Sequence, residues 1–280
     1  FKSDKIIRKC LDNIDSSIKK IIVENSDNTN LTSALMKEYN NLVCINIGYD
    51  SGYGFALNRG IEIVNTKYVV TMNPDTFPEK KCIERIYKTI RNSNDTAIVT
   101  PITIRKGSKE FDDYGYFEKN VTEENKFNNT LRVDWVNGNI LILDMEIVKH
   151  IGKFDENFFL QWEERDFQKR IYNINKKILI DFSAKSHHLE GQSHDPKFNY
   201  AMKCETSWHH GWSKFYFFKK HYGYFAALKN TFKDMIVYFF KFITWGLLFD
   251  WKKSNIYRMF FLGIFFSILN RKSFYRAKIN

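Results

Sequence analysis

Short β-branched runs alternate with amphipathic stretches through the first hundred residues, and this rhythm limits the chain to few folds. Residues 21–25, Ile-Ile-Val-Glu-Asn, read as a strand that stops at the turn-forming Asn25-Ser26-Asp27-Asn28, and residues 31–39 as a helix. A second strand over 42–47 is followed by the loop 48–54 and a helix through Asn58 to Val64. Residues 68–72 make a third strand, the segment 80–91 after Pro78 another helix, and residues 97–100 a fourth strand. Such alternation predicts an α/β fold on a doubly wound, mostly parallel sheet, with ligands held beyond the carboxyl ends of the strands.

After the fourth strand the pattern changes. Residues 105–130 are polar and read as a surface excursion. Trp135 to Asn139 then lead into an apolar run over 140–143, a helix restarts at 145–150, and residues 177–182 form a further strand. From Tyr200 onward the chain reads as helical. Phe232, Met235, Ile236, Phe239, Phe240, Ile243 and Leu247 recur at spacings of three and four, which gives one apolar face. Lys241 interrupts that helix, and the apolar run 259–269 is shorter than the ~20 residues a spanning helix needs. Attachment to a membrane surface is expected rather than passage through it.

The formal charge of +11 is unevenly placed. Residues 196–280 hold 15 Lys and Arg against 3 Asp and Glu, while residues 1–195 hold 28 against 29, so the basic character belongs to the C-terminal third. That third also holds 26 of the 47 aromatic residues, and cations interleaved with amphipathic rings suit a water–lipid boundary. The near-neutral remainder and the lack of a nucleic-acid-binding motif argue against a nucleic-acid partner. The sequence thus divides into residues 1–195, with the α/β pattern, and residues 196–280, a helical region expected on a membrane surface. Cys10, Cys44, Cys82 and Cys204 are far apart and form no CxxC pair, which indicates neither a zinc site nor a disulfide framework. A cytoplasmic chain, peripheral on the inner face of the cytoplasmic membrane, is the expectation.

Three clusters carry chemistry. Asp75, in Asn73-Pro74-Asp75 at the end of an apolar strand, can hold a hard divalent cation that bridges a diphosphate, although the same tripeptide also makes an ordinary turn. Trp162-Glu163-Glu164-Arg165-Asp166 sets acids among aromatic rings at the start of an amphipathic helix. Carboxylates buried beside rings take raised pKa values, which suits a general base. Asp166 and Arg170 stand four apart and read as a helix ion pair, leaving Glu163 and Glu164 for chemistry. The third cluster, Ala184 to His194 with His187, His188 and His194, reads as a loop after the strand, able to complete a metal shell or hold a phosphate.

In their order these segments resemble the rhamnosyltransferase-like branch of the inverting glycosyltransferase family 2. The family's acidic-Asn pair is met by Glu24-Asn25, its Gly-rich helix start by Gly52-Tyr53-Gly54-Phe55-Ala56-Leu57-Asn58-Arg59-Gly60, and its metal motif by Asn73-Pro74-Asp75. Trp135 with Gly138, Gly152-Lys153-Phe154-Asp155-Glu156, Glu163-Glu164-Arg165-Asp166, and His188 with Gly191 and Ser193 follow. The resemblance implies a GT-A fold, a UDP- or dTDP-linked sugar as donor, and Mg2+ or Mn2+ as cofactor. It implies donor contacts at Glu24, Asn25, Asn58, Asn73 and Asp75, with Glu24 at the base, and a metal at Asp75 assisted by His188. Acceptor contacts are implied at Trp135, Gly138 and Trp162, and removal of the acceptor proton by Glu164 with Glu163 beside it.

The implied acceptor is a hydroxyl of a glycan or lipid-linked sugar, in cell-surface polysaccharide or lipopolysaccharide synthesis. Glu occupies positions 24 and 164 where the family usually has Asp, and the family's first strand has no counterpart after Phe1, so a chain truncated at its N-terminus is expected. Two other classes compete. A non-catalytic basic membrane- or nucleic-acid-binding protein predicts no dependence on sugar nucleotides, and a metal-dependent phosphoester hydrolase lacks its usual ligand spacings.

Overall fold

The computed structural model of the chain describes residues 2–105, 111, 113–117, 126–127, 129–189 and 196–277. They cluster into two compact units, Phe1–Ser51, Ala56–Phe154 and Phe167–Asp195 in the first, and Gly52–Phe55, Asp155–Asp166 and Pro196–Asn280 in the second. The sequence divides at residue 195. The structure instead groups the acidic segment Asp155–Asp166 with the C-terminal helices.

The first unit follows the alternation read from the sequence. Helix α1 (Ile7–Asp12) precedes β1 (Lys20–Glu24), α2 (Thr29–Glu38), β2 (Leu42–Asn46), α3 (Tyr53–Glu62), β3 (Tyr68–Met72), β4 (Thr76–Pro78), α4 (Cys82–Asn92) and β5 (Thr96–Arg105). Then come β6 (Tyr114–Gly115), β7 (Lys126–Phe127), β8 (Thr130–Val133), β9 (Trp135–Val136), β10 (Ile140–Asp144), α5 (Met145–Ile151), α6 (Glu163–Asn173) and β11 (Lys177–His188). β4 is short and was not expected. Its Pro78 lies on the strand that precedes α4 rather than opening the helix.

β1 and β2 pair in parallel as a two-stranded sheet, Lys20 opposite Leu42. The larger sheet runs β3-β10-β5-β11-β8-β7, with β4 also on β11. The mostly parallel arrangement is corrected here: within this sheet only β5 and β11 are parallel, and β10, β8, β7 and β4 all run antiparallel to their neighbours. A parallel neighbour needs a long crossover, whereas the chain returns from β5 to β10 with no helix among the described residues, so its returning strands lie antiparallel.

Side-chain alternation gives this sheet two apolar faces. Ile98, Leu141, Leu143, Ile178 and Ile180 pack with Met145, Val148, Phe154, Phe167 and Ile171 from α5, α6 and the link between them. Val99, Ile142 and Leu179 pack on the other face against Cys82, Ile86 and Ile90 of α4. A sheet covered on both faces explains why β10 and β11 read as unbroken apolar runs.

β11 continues well past the expected strand end. Its register against β5 shifts between Asp181 and Lys185, and Asp181 holds the irregularity by accepting hydrogen bonds from the Ser183 amide at 2.8 Å and from Thr89 Oγ1 at 2.5 Å. Beyond the bulge Ser186, His187 and His188 pair with β4. The expected loop over 184–188 is therefore strand. Gly191, Ser193 and His194 of the same cluster lie outside the described residues.

In the second unit a 3-10 turn at Pro196–Phe198 leads into α7 (Asn199–Tyr222), α8 (Tyr224–Leu247) and α9 (Trp251–Ile268). No helix among the described residues is long and apolar enough to cross a membrane. α7 and α9 meet backbone to backbone: a Cβ on Gly211 would lie 2.3 Å from the Phe260 carbonyl oxygen, and one on Gly263 2.0 Å from that of Trp208. Trp208, Trp212 and Met259 fill one side of the crossing, and Phe215, Phe260 and Ile264 the other. Neither backbone can yield without breaking this packing. Gly263→Ala is expected to lower stability by about 1–3 kcal/mol or more through overpacking, read as a fall in Tm, with the isosteric control Ile264→Leu costing less.

Candidate active site

In the first unit the residues after β1 organise the loop before α3. The Asn25 side-chain oxygen accepts from the Ser51 amide at 3.1 Å and from the Ser51 hydroxyl, and its amide nitrogen donates to Asp50 Oδ1 at 3.3 Å. Asn25 thus ties the 48–51 loop to the carboxyl end of β1. Glu24, buried beside it, accepts a short hydrogen bond from Ser26 Oγ. Asn58 is 1% exposed and makes a two-way bracket with the Phe154 backbone, donating to its carbonyl at 2.9 Å and accepting from its amide at 3.0 Å. Both ends of the Asn58 amide thus hold the chain that follows α5.

The Asn73-Pro74-Asp75 turn is fixed from two sides. The Asn73 amide donates to the Asn139 carbonyl at 2.9 Å, and their side chains meet at 3.1 Å. The Asp75 carbonyl accepts from the Leu189 amide at 3.0 Å, which brings β11 alongside. His188 Nε2 then stands 3.4 Å from Asp75 Oδ1, both side chains largely buried, and Thr76 Oγ1 is buried with no hydrogen-bond partner among the described residues. Cys10 packs behind the turn. Burial, and then the charge of Asp75, push its thiol up to about 12, so it stays neutral.

Strand pairing thus joins two sequence-distant residues, Asp75 and His188. His187, on the alternate side of the strand, bonds Glu79 at 2.9 Å instead. No group of three or more His, Cys, Asp or Glu that could hold a metal occurs among the described residues. One buried carboxylate and one imidazole nevertheless suit a divalent ion that completes its shell with phosphate oxygens and water. Trp135, implied at the acceptor, is half-buried on β9 with its indole against Gly115, where a Cβ would lie 2.6 Å from the ring; Gly138 lies between β9 and β10.

In the second unit Gly52 and Phe159 set the start of α3. Gly52 has φ +88, and a Cβ there would meet the Phe159 carbonyl oxygen at 2.5 Å, while the Tyr53 amide donates to that oxygen at 2.8 Å. This is the physical requirement behind the first glycine of the Gly-rich stretch. Immediately before α6, Gln161 and Trp162 are both left-handed, φ 67 and 72, a strained pair for residues with side chains. The Trp162 ring packs against Phe217 at 5.2 Å and under the Arg165 guanidinium at 4.9 Å.

Glu163 and Glu164 occupy the first turn of α6. Glu163 is 4% exposed and Glu164 half-buried; the Oε2 atom of each is buried and accepts no hydrogen bond from the described residues. Burial, then the neighbouring Glu164 charge, raise the Glu163 carboxyl well above the carboxylate range, and burial raises Glu164 too. The two carboxyls are neighbours, so ionisation of one disfavours ionisation of the other.

Asp166 is fully buried and meets Lys220 Nζ at 2.7 Å and His221 Nε2 at 2.8 Å, while Arg170 donates to the carbonyls of Ile151, Gly152 and Lys153. Lys220 also reaches Asp155 Oδ2 at 2.7 Å, where Tyr216 OH donates at 3.2 Å. Burial works to raise Asp155, yet Lys220 and the Asn157 amide hold it below the usual carboxylate range. Sequence reasoning missed Lys220, His221 and Tyr216, because basic residues in the last turn of a helix are ordinary dipole partners.

Two outcomes are expected. Lys220→Met leaves Asp166 buried beside His221 without its lysine and costs about 3–5 kcal/mol in urea unfolding, whereas Lys219→Met, whose ammonium donates to the neutral Asn270 side chain at an exposed site, costs little. For Glu163 the folded pKa lies above the unfolded value, so its contribution to stability is full below the ordinary 4.5 and is lost as pH rises through the raised value. Glu163→Gln should therefore flatten the decline of stability above pH 4.5 in a melting series; an undiminished decline would show that Glu163 does not carry the shift.

A family model described as "Glycosyl transferase family 2" matches residues 1–147. The hexosyltransferase Agl10 of low-salt glycan biosynthesis in Haloferax volcanii is 24% identical over 189 residues, covering 62% of this chain and 61% of Agl10. The crystal structure of GalNAc-T7 with UDP, GalNAc and Mn2+ superposes with a TM-score of 0.50 at 12% identity, over 72% of this chain and 44% of that one. The chain thus spans about three fifths of the curated relative and under half of the solved structure. The structural likeness shows a mixed α/β architecture with a GT-A-type central sheet, joined here to a helical C-terminal region. With more than half of its length matched, the chain belongs to glycosyl transferase family 2.

Proposed function

We propose that this chain is an inverting, metal-dependent glycosyltransferase that moves a sugar from a nucleoside diphosphate to an acceptor hydroxyl. The observation that carries the reading is the Glu163–Glu164 pair at the first turn of α6, where each Oε2 is buried without a hydrogen-bond partner among the described residues and burial raises both carboxyls. The helix N-terminus favours a carboxylate there, and a raised pKa suits a general base.

The acceptor oxygen attacks the anomeric carbon opposite the leaving diphosphate. As the new C–O bond forms and the bond to phosphate breaks, the hydroxyl proton passes to Glu164, so one displacement inverts the centre. Asp75 and His188 would hold Mg2+ or Mn2+, with Mn2+ the better match to a carboxylate–imidazole set, and the ion would stabilise charge on the departing diphosphate. A UDP donor is favoured by the GalNAc-T7 likeness, whose structure holds UDP and Mn2+. dTDP-linked donors and a rhamnosyltransferase-like specificity follow from the motif resemblance alone, with Glu24 and Asn73 on the donor and Trp135, Gly138 and Trp162 on the acceptor. The relative Agl10 supports a hexose as the transferred sugar and glycan assembly as the setting, with a glycan or lipid-linked acceptor.

The test is a screen of sugar nucleotides for thermal protection with and without Mn2+, followed by transfer assays. Glu164→Gln should lower turnover about 10²–10⁴-fold while leaving nucleotide protection intact. Asp75→Asn should remove the Mn2+ dependence of protection. Near-normal turnover in Glu164→Gln with loss in Glu163→Gln would move the base to Glu163.

A further inference from the structure

Helix α8 shows solvent a surface that glycosyl transfer does not use. Phe225, Phe232, Ile236, Phe240, Ile243 and Leu247 are all exposed, Phe225 at 85% and Leu247 at 74%. At 3.6 residues per turn they share an arc of roughly 80°, and with 1.5 Å per residue they form a strip about 33 Å long. The opposite side of the helix carries Ala227, Met235 and Tyr238, packed with Phe215, Phe260 and Ile264. So the strip is not an inner face left open by chance; α8 is already seated. The apolar surface continues into the turn before α9 with exposed Leu248, Phe249 and Trp251.

The charges beside the strip have one sign. Lys229 and Lys233 are exposed on and beside the strip along α8, and Lys252 and Lys253 flank Trp251. The acids nearby are engaged: Asp234 accepts from Lys214, and Asp250 caps α9 by accepting from the Lys253 amide at 3.0 Å. Apolar rings bordered by lysines, with no exposed acid on α8, complement an anionic layer with an apolar interior. A second copy of the chain fits less well, because a two-fold contact through this strip would set lysine against lysine.

We propose that the exposed face of α8 and the α8–α9 turn form an anchor that lies in the headgroup layer of an anionic lipid bilayer. Lysine stems run along the apolar edge and carry their charges to the headgroups, while the phenylalanines enter the acyl boundary. The proposal is independent of the transfer reading, because it uses no residue of the acidic pair or of the metal site.

Co-sedimentation of the full chain with vesicles tests it, without donor or metal. Vesicles of phosphatidylcholine mixed with phosphatidylglycerol should carry the chain down, and phosphatidylcholine alone should retain far less. Joint Lys229→Glu and Lys233→Glu should lower partitioning on the order of a hundredfold, as should high salt in the parent chain. Joint Phe232→Ser and Phe240→Ser should lower it as well, with the circular dichroism and Tm of both variants unchanged, since all four side chains are exposed. Equal sedimentation with neutral vesicles, no sedimentation with either, or binding untouched by both variants would overturn the anchor. So would a dimer, seen by sedimentation velocity, that the phenylalanine variant splits. None of these outcomes bears on the glycosyl-transfer assays.

Discussion

Lys220 Nζ stands 2.7 Å from Asp155 Oδ2 and 2.7 Å from Asp166 Oδ1, and the acidic segment of the second unit depends on this one ammonium. Asp155 opens that segment and Asp166 closes it. With both ends held to the last turn of α7, the path between them has little freedom, and it contains the Phe159 carbonyl that receives Tyr53 and the Glu163–Glu164 pair. His221 on Asp166 and Tyr216 on Asp155 satisfy further lone pairs, which a buried ionic group needs before its attraction outweighs its lost hydration.

Within that frame two unfavourable features are tolerated side by side. Gln161 and Trp162 adopt left-handed backbone that costs on the order of 1–3 kcal/mol each. The adjoining carboxyl groups are buried at the cost of ionisation, so Glu163 and Glu164 hold their protons to higher pH than a free carboxyl. Strain and buried acids persist only where the surroundings over-determine them. The Trp162 ring among Phe217, Phe218 and His210, together with Arg165, supplies the packing that does so. On the first unit the corresponding constraint is strand pairing: β4 against β11 brings His188 to Asp75 across more than a hundred residues of sequence.

Much of the fold was legible. β3 lies where the residue pattern puts it and β1 and β2 differ by one residue at their ends, because buried strands are marked by unbroken β-branched runs and by the turn residues that end them, whereas β5 runs five residues past its expected end at 100. The acid pair, Asp75 and His188 were also visible as residue types. For Asn58, Asn25 and Asp166 the residue type was legible but not its partners, because a motif position shows that an amide or a carboxylate is needed and not what it bonds. Asn58 bonds the Phe154 backbone, Asn25 bonds Ser51, and Asp166 meets a lysine from 54 residues away.

The sequence by itself determined the elements, the two-faced apolar sheet, the basic aromatic C-terminal third and the identities of the acids and histidines. These follow from local periodicity and composition, which need no knowledge of neighbours in space. Only the tertiary structure decided the direction of strands β8 and β10, the extension of β11 through His188, the burial that raises Glu163 and Glu164, and the meeting of Lys220 with Asp166. Each of those depends on a contact between segments far apart in the chain, and on burial, which sets the strength of a charge or hydrogen bond and is a property of the packed molecule.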